Sequence, residues 1–155
     1  MKKIFLSFIF LGGILFFSAC QERETKLPAS PYDTVNELPG LSSFIAESST
    51  GAGGMTVIYD NQSTREFTYG EAFVIEQQVG DQWYQLPYLD EEGVAFIEIA
   101  YSLPPKTQRE WRVSWGNIYD NLDPGSYRLI KEFVGVEDDG DYYRLYPIAT
   151  VFTIE

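Results

Sequence analysis

Cys20 is the single thiol in a chain of 155 residues that contains no histidine. A lone cysteine has no partner for an intrachain disulfide, so its sulfur is left for covalent modification. Without imidazole, His-based triads and His metal sites are excluded, and no Ser-x-x-Lys arrangement supplies another base. The remaining chemistry would have to come from carboxylates. Glu71, Glu76 and Glu98 are candidates for a glycosidase-type pair, which needs two acids about 5 to 10 Å apart across a cleft. Glu137, Asp138, Asp139 and Asp141 offer hard oxygens of the kind calcium takes, but without the further ligands and closing Glu of an EF-hand loop they read as a solvated turn. Asp120, Asn121 and Asp123 precede Pro124-Gly125 and read as turn initiators. Asn61-Gln62-Ser63 matches a glycosylation acceptor and is also read as a turn. The residues call for no cofactor, no metal and no catalytic group.

The setting of Cys20 gives it a use. Lys2 and Lys3 precede an apolar run of 14 residues, Ile4 to Phe17, followed by Ser18-Ala19-Cys20. The charge holds the cytoplasmic side while the run enters the translocon, and the run is too short to span a bilayer permanently. Residues 1–19 are therefore read as a cleavable signal peptide. Small residues just before the cysteine resemble the lipobox of bacterial lipoproteins, in which the thiol is acylated with palmitate-type chains and cysteine becomes the first residue. Phe17 stands where that motif prefers Leu. Each buried methylene adds about 0.8 kcal/mol of membrane affinity, and two or more chains make anchoring stable. The expectation is an extracytoplasmic lipoprotein, anchored through Cys20 to the cell membrane or outer envelope.

Removing the leader leaves nine basic against 23 acidic side chains, a net charge of −14. Nucleic-acid binding needs clustered Lys and Arg to displace counterions, so nucleic acid is excluded as a partner. Acidity also keeps a secreted body soluble and off an anionic bilayer. The mature length of 136 residues fits one domain with a sizeable core.

Residues 21–40, QERETKLPASPYDTVNELPG, are polar, carry Pro28, Pro31 and Pro39, and show neither helical nor strand periodicity. With Cys20 they read as a lipidated N-terminus and disordered tether, residues 20–40. From Leu41 to Glu155, short runs rich in β-branched and aromatic residues alternate with Gly, Asn, Asp and Pro, which predicts an antiparallel β-domain. Expected strands are 41–47, 55–60, 71–79, 82–86, 96–100, 107–115, 126–134 and 143–154. Val79-Gly80-Asp81-Gln82 predicts a two-residue hairpin with Gly at the first central position of a II′ turn. Trp111, Val113 and Trp115 alternate with Glu110, Arg112 and Ser114, so one face meets the core and the other water. Gly116 to Leu122 predicts one helical turn. Pro147 inside the last strand predicts an edge position or a bulge.

Pro124-Gly125 turns the chain so that Tyr127, opening the next strand, can fold its hydroxyl back onto upstream backbone. This is a tyrosine corner in sequence form, a pin of Greek-key sandwiches. The order of MTVIYDN, YGEAFVIEQ, Trp83, IAYSLPPK, the Trp111 to Trp115 strand and IYDNLDPGSYRLIKEF resembles the bacterial immunoglobulin-like domain of cell-surface lipoproteins. The resemblance spans about residues 41–155, and PGSYRLIKEF is its most distinctive piece. It implies an all-β immunoglobulin-like sandwich of about seven strands with Greek-key connections, and it brings no catalytic residues.

Strict alternation points Lys131 inward with Tyr127 and Leu129, where a lone ammonium is costly to desolvate. Glu76, on the strand expected beside it, is the predicted ion-pair partner. Trp111 and Trp115 are assigned to the core, and Trp83, after a hairpin, to a partly exposed position. The function that follows is a membrane-anchored surface lipoprotein whose domain binds or displays an envelope protein or glycan without catalysing a reaction. The competing reading is a small hydrolase inhibitor or a carboxylate-based envelope enzyme.

Overall fold

A computed structural model describes residues 27–90, 93–136 and 143–155. These form nine strands: β1 Leu41–Ile45, β2 Gly54–Asn61, β3 Phe67–Tyr69, β4 Val74–Val79, β5 Gln82–Gln85, β6 Tyr101–Leu103, β7 Thr107–Ser114, β8 Gly125–Val136 and β9 Tyr143–Ile154. A three-stranded sheet, β1-β2-β7, faces a six-stranded sheet built on β8. The two antiparallel sheets make the all-β sandwich expected from the alternating pattern.

β8 organises the larger sheet. β9 pairs along its full length on one edge. On the other edge β4 pairs with Tyr127 to Ile130, and β3 pairs with Phe133 to Gly135. Thus β3 and β4 lie end to end, with a break at residues 70–73 opposite Lys131. β5 extends β4, and β6 extends β3. The β4–β5 hairpin closes through Gly80-Asp81. Gly80 has φ +61° whereas Asp81 is outside the left-handed region, which matches a II′ turn and not the I′ alternative.

Side chains from both inner faces fill the space between the sheets, with Val57, Tyr59, Phe67, Ile75, Leu103, Trp115, Leu129 and Phe133 all fully buried. Tyr59 packs edge-on to Phe133 at 4.9 Å, and Trp115 lies 5.2 Å from Phe152 while its indole N–H donates to the Ala52 carbonyl. Large aromatic surfaces fill a two-layer core of this width; the Trp115 indole is satisfied, whereas the buried Tyr59 hydroxyl has no hydrogen-bond partner among the described residues. Residues 115–119 form the expected helical turn, with the Tyr119 N–H donating to the Trp115 carbonyl.

Three expectations are corrected. The run at 96–100 is not a strand, and the short strand there is Tyr101–Leu103. Phe96 packs edge-on to Phe73, and the Ile99 N–H bonds the Ile97 carbonyl locally, so the run touches the core through Phe96 while residues 97–100 stay exposed instead of joining a ladder. The strand expected from Glu71 begins at Val74, and β3 was not anticipated as a separate element. Residues 27–40, expected in the disordered tether, are docked. Ala29 bridges Tyr84 at the outer edge of β5, the Ser30 hydroxyl accepts from Arg128 on β8, and Asn36 reaches β9. This strap crosses the outer face of the larger sheet.

The strap also protects the free edge of β9. The Asn36 side chain accepts from the Ala149 N–H at 2.9 Å and donates to the Ala149 carbonyl at 3.1 Å, copying a ladder pair. The Asn36 N–H meanwhile donates to the Pro147 carbonyl. Pro147 has the same parity as Ala149, so its missing N–H would have pointed to the free edge and costs no bond to β8. This is the edge position that proline predicted, covered as sheet edges commonly are.

Candidate functional site

The residues singled out by the sequence do not gather at one place among the described residues. Cys20 lies outside the described residues, as does the acidic loop Glu137 to Asp141. Pro124 and Gly125 turn the chain into β8, where the Tyr127 hydroxyl donates to the Asp123 carbonyl at 2.8 Å and the ring stacks on Phe152 at 5.6 Å. Burial pushes the Tyr127 phenol above its ordinary value. Tyr127→Phe should cost about 1 kcal/mol, because one part-buried hydrogen bond to the Asp123 carbonyl is lost while the packing of the buried ring is kept. Urea unfolding should show a lower midpoint with an unchanged slope. An unchanged midpoint would remove the corner from the stabilising set.

The predicted pair of Glu76 and Lys131 does not form. Glu76 stands opposite Arg128 in the ladder, whereas Lys131 belongs to the other parity of β8. Arg128, Ile130 and Glu132 point to the outer face, and Tyr127, Leu129, Lys131 and Phe133 to the core. One oxygen of the Glu76 carboxylate, Oε2, accepts from Arg128 Nε and lies equally close to Nη2, both at 2.7 Å, while Oε1 is buried with no hydrogen-bond partner among the described residues; neither residue is more than 7 % exposed. Trp83 covers the guanidinium at 4.7 Å, and the Ser30 hydroxyl of the strap accepts from its Nη2, the nitrogen that also faces Glu76, at 3.0 Å. Trp83 is accordingly half-buried, a lid on an ion pair. Tyr32 of the strap bonds Glu132, and burial first, then that carboxylate, raises its phenol to about 12.

Lys131 is fully buried, and among the described residues no carboxylate forms an ion pair with it. Its ammonium donates to the Glu71 carbonyl at 3.1 Å, a group freed by the break between β3 and β4. It also sits 3.5 Å from the Trp111 ring centroid and 5.7 Å from that of Tyr69. Desolvation lowers its pKa to about 7, and the charge of Glu71 opposes that fall. The aromatic face therefore substitutes for the predicted acid. Strand alternation found the buried lysine, but no local signal announced Trp111 from the facing sheet.

The three carboxylates considered for catalysis are dispersed. Glu71 accepts from the Tyr101 hydroxyl at 2.5 Å, Glu76 is closed beneath the strap, and Glu98 is exposed on the loop before β6. None of the three lines the cleft beside the strap or the shallow one on β2 and β7. Asp120 turns on itself, with φ +66° and its carboxylate accepting from the Asn121 N–H. Asn61 is buried, and its amide donates to the carbonyls of Arg65, Leu103 and Pro104 while its oxygen accepts from Ser63. Such an amide braces the β2–β3 turn and offers no accessible nitrogen for a glycan.

A concavity of about 550 Å³ opens elsewhere, between strap residues 34–38 and the start of β9. Arg65 and Arg144 both lie over the Tyr146 ring, at 5.6 and 5.5 Å, and Arg65 donates to the Tyr146 hydroxyl at 3.2 Å. Glu37 and Thr34 line the strap side. No sequence pattern pointed to this cleft, because its walls come from three distant segments.

The strand order, the buried aromatic core and the corner at Tyr127 are those of an immunoglobulin-like sandwich. The family model described as bacterial Ig-like domain matches residues 43–147. The chain belongs to that family. Comparison with curated proteins and with solved structures gives no match. In this Ig-like domain the matched stretch runs from β1 into β9 and leaves the strap outside it. The strap lies ahead of the matched stretch and forms one wall of the cleft.

Proposed function

We propose that the protein is a lipid-anchored surface module in which an Ig-like domain binds or displays an envelope component without catalysis. The observation that carries this reading is the union of a lipobox-like leader ending at Cys20 with membership of the bacterial Ig-like family. An Ig-like sandwich carries no reaction by itself, and dispersed carboxylates in a histidine-free chain supply no acid–base pair. Surface display is the common setting of such domains.

Docking of the strap sharpens the arrangement. Six residues separate Cys20 from Leu27, so an anchored domain would stand no more than about 25 Å from its lipid even with those residues extended. The edge of β5, where Ala29 pairs with Tyr84, would then lie nearest the bilayer.

Cell fractionation of Cys20→Ala tests the anchor. The variant should move from the membrane pellet to the soluble extracytoplasmic fraction, with its leader processed differently. Retention in the pellet would overturn lipid anchoring. Crosslinking of the full chain on intact cells tests the binding half of the reading, and recovery of the chain alone would count against it.

A further inference from the structure

We propose that residues 27–40 are a releasable reserve of tether: under load along the chain the strap leaves the sheet and lengthens the tether by about 30 Å, while the sandwich stays folded. The use of that length rests on the reading of Cys20 as a lipid anchor, whereas the release itself is a property of the fold.

The strap lies in series with any pull that reaches the domain from its N-terminal side. Load arriving at Leu27 must break the strap from the sheet before it reaches β1 at Leu41. The strap is the weaker attachment of the two. None of its fourteen residues is buried, and Leu38 is the one that packs against the main core. Its backbone joins the sheet at a single bridge to β5, where the Ser30 N–H donates to the Trp83 carbonyl and the Gln85 N–H to the Pro28 carbonyl, both at 2.9 Å, and again at the Asn36 N–H. Pro28 has no N–H to return the second bond of its pair with Gln85, so the bridge does not grow into a ladder. By contrast, Leu41 is buried, β1 pairs with β2 over five residues, and the Gly40 carbonyl accepts from the Gln62 N–H. Release therefore stops at Gly40.

The surface under the strap is balanced between closing and opening. Ile130 and Ala149 point to the outer face and are buried there, apart from the main core, so covering them favours the docked state. The ion pair works against it. Glu76 and Arg128 are desolvated beneath the strap, and Glu76 Oε1 has no hydrogen-bond partner among the described residues. A buried acceptor left unmade is costly, and water satisfies it once the strap is off. Partial cancellation of this kind leaves a local opening well below the global one, as a reversible element requires.

The length follows from the chain path. Fourteen extended residues reach about 50 Å. Docked, they cross the three strand spacings from β5 to β9 and then the distance between the sheets, about 20 Å end to end. The difference is the gain in reach.

The test is stretching of residues 20–155 in an optical trap, held by tags at the two ends, with Cys20→Ser to leave the molecule free of thiols. Two transitions are expected, a reversible step of about 30 Å at low force and a later one from the sandwich. Asn36→Gly accepts the positive φ of +60° at that position and deletes both side-chain bonds to Ala149. It should lower the force of the first step and leave the second unchanged. Ala29→Cys with Tyr84→Cys joins a non-hydrogen-bonded antiparallel pair, whose close Cα atoms suit a disulfide. Oxidised, this variant should lack the first step, and reduction should restore it. The wild-type and Asn36→Gly traces carry the test should the disulfide distort β5. A single transition, a first step that does not reverse when the load is lowered, one that survives the disulfide, or one indifferent to Asn36→Gly would each overturn the reserve. Fractionation of Cys20→Ala judges the anchor separately, so failure of one leaves the other standing.

Discussion

Arg128→Ala is expected to destabilise the domain by about 3 to 5 kcal/mol, the largest single effect in the molecule outside the core aromatics. The substitution leaves the Glu76 carboxylate fully buried with its guanidinium partner gone. It also removes the donor to Ser30 and the cation beneath Trp83, so the strap loses its central contact. Two readings follow from one variant. Global stability should fall in urea unfolding, and amide exchange at Ala29 to Tyr32 should accelerate beyond the global change. The double replacement of Glu76→Leu with Arg128→Met should recover much of the loss, because desolvating two ions offsets most of their attraction. A double variant as unstable as Arg128→Ala alone would mean that the strap, and not the stranded charge, dominates the cost.

Lys131→Met should change the pH dependence of stability more than any other substitution. In the unfolded chain the amine keeps its ordinary value near 10.5, and in the fold desolvation brings it to about 7. Between those values the unfolded state holds a proton that the folded state has released. Unfolding therefore takes up a proton, and wild-type stability rises with pH from about 7 toward 10, by up to about 1.4 kcal/mol per unit. Below pH 7 both states are protonated and the slope vanishes, with the full cost of burying the ammonium retained. Above pH 10 the sign reverses: Tyr59 and Tyr119 are raised mainly by burial, as is Tyr32, so their phenols ionise first in the unfolded chain. Lys131→Met should flatten the rise and be more stable than wild type near pH 6, since an apolar chain of similar length fills the space without charge. Denaturant midpoints at pH 6, 8 and 9.5 measure this. Parallel profiles for the two proteins would show that the contact with Trp111 at 3.5 Å compensates desolvation fully.

These two residues also show where alternation stops being informative. Parity within β8 correctly sent Lys131 to the core, because side-chain direction depends only on position along one strand. The partner of Lys131 depends on the phase of a different strand, which is set by the ladder that puts Glu76 opposite Arg128. A one-residue difference in that phase exchanges inner and outer faces. The lysine instead meets Trp111 from the facing sheet, a contact across the sandwich that no pairing rule within a sheet encodes. The cleft was illegible for a related reason. Arg65, Glu37 and Arg144 are far apart in sequence, and each alone is an ordinary polar residue next to a turn or strand end.

By itself, the sequence determined the β-class of the body, the II′ hairpin at Gly80-Asp81, the tyrosine corner and the placing of Pro147 at an edge or a bulge, of which the fold uses the edge. All of these are local: they rest on side-chain period, turn chemistry or the missing N–H of one residue. Only the tertiary structure decided the pairing of Glu76 with Arg128, the break beside Lys131, and the docking of residues 27–40 as a strap. The strap has no periodicity to read, since what holds it is a set of single side-chain bonds to a sheet edge and face assembled from residues about a hundred positions away.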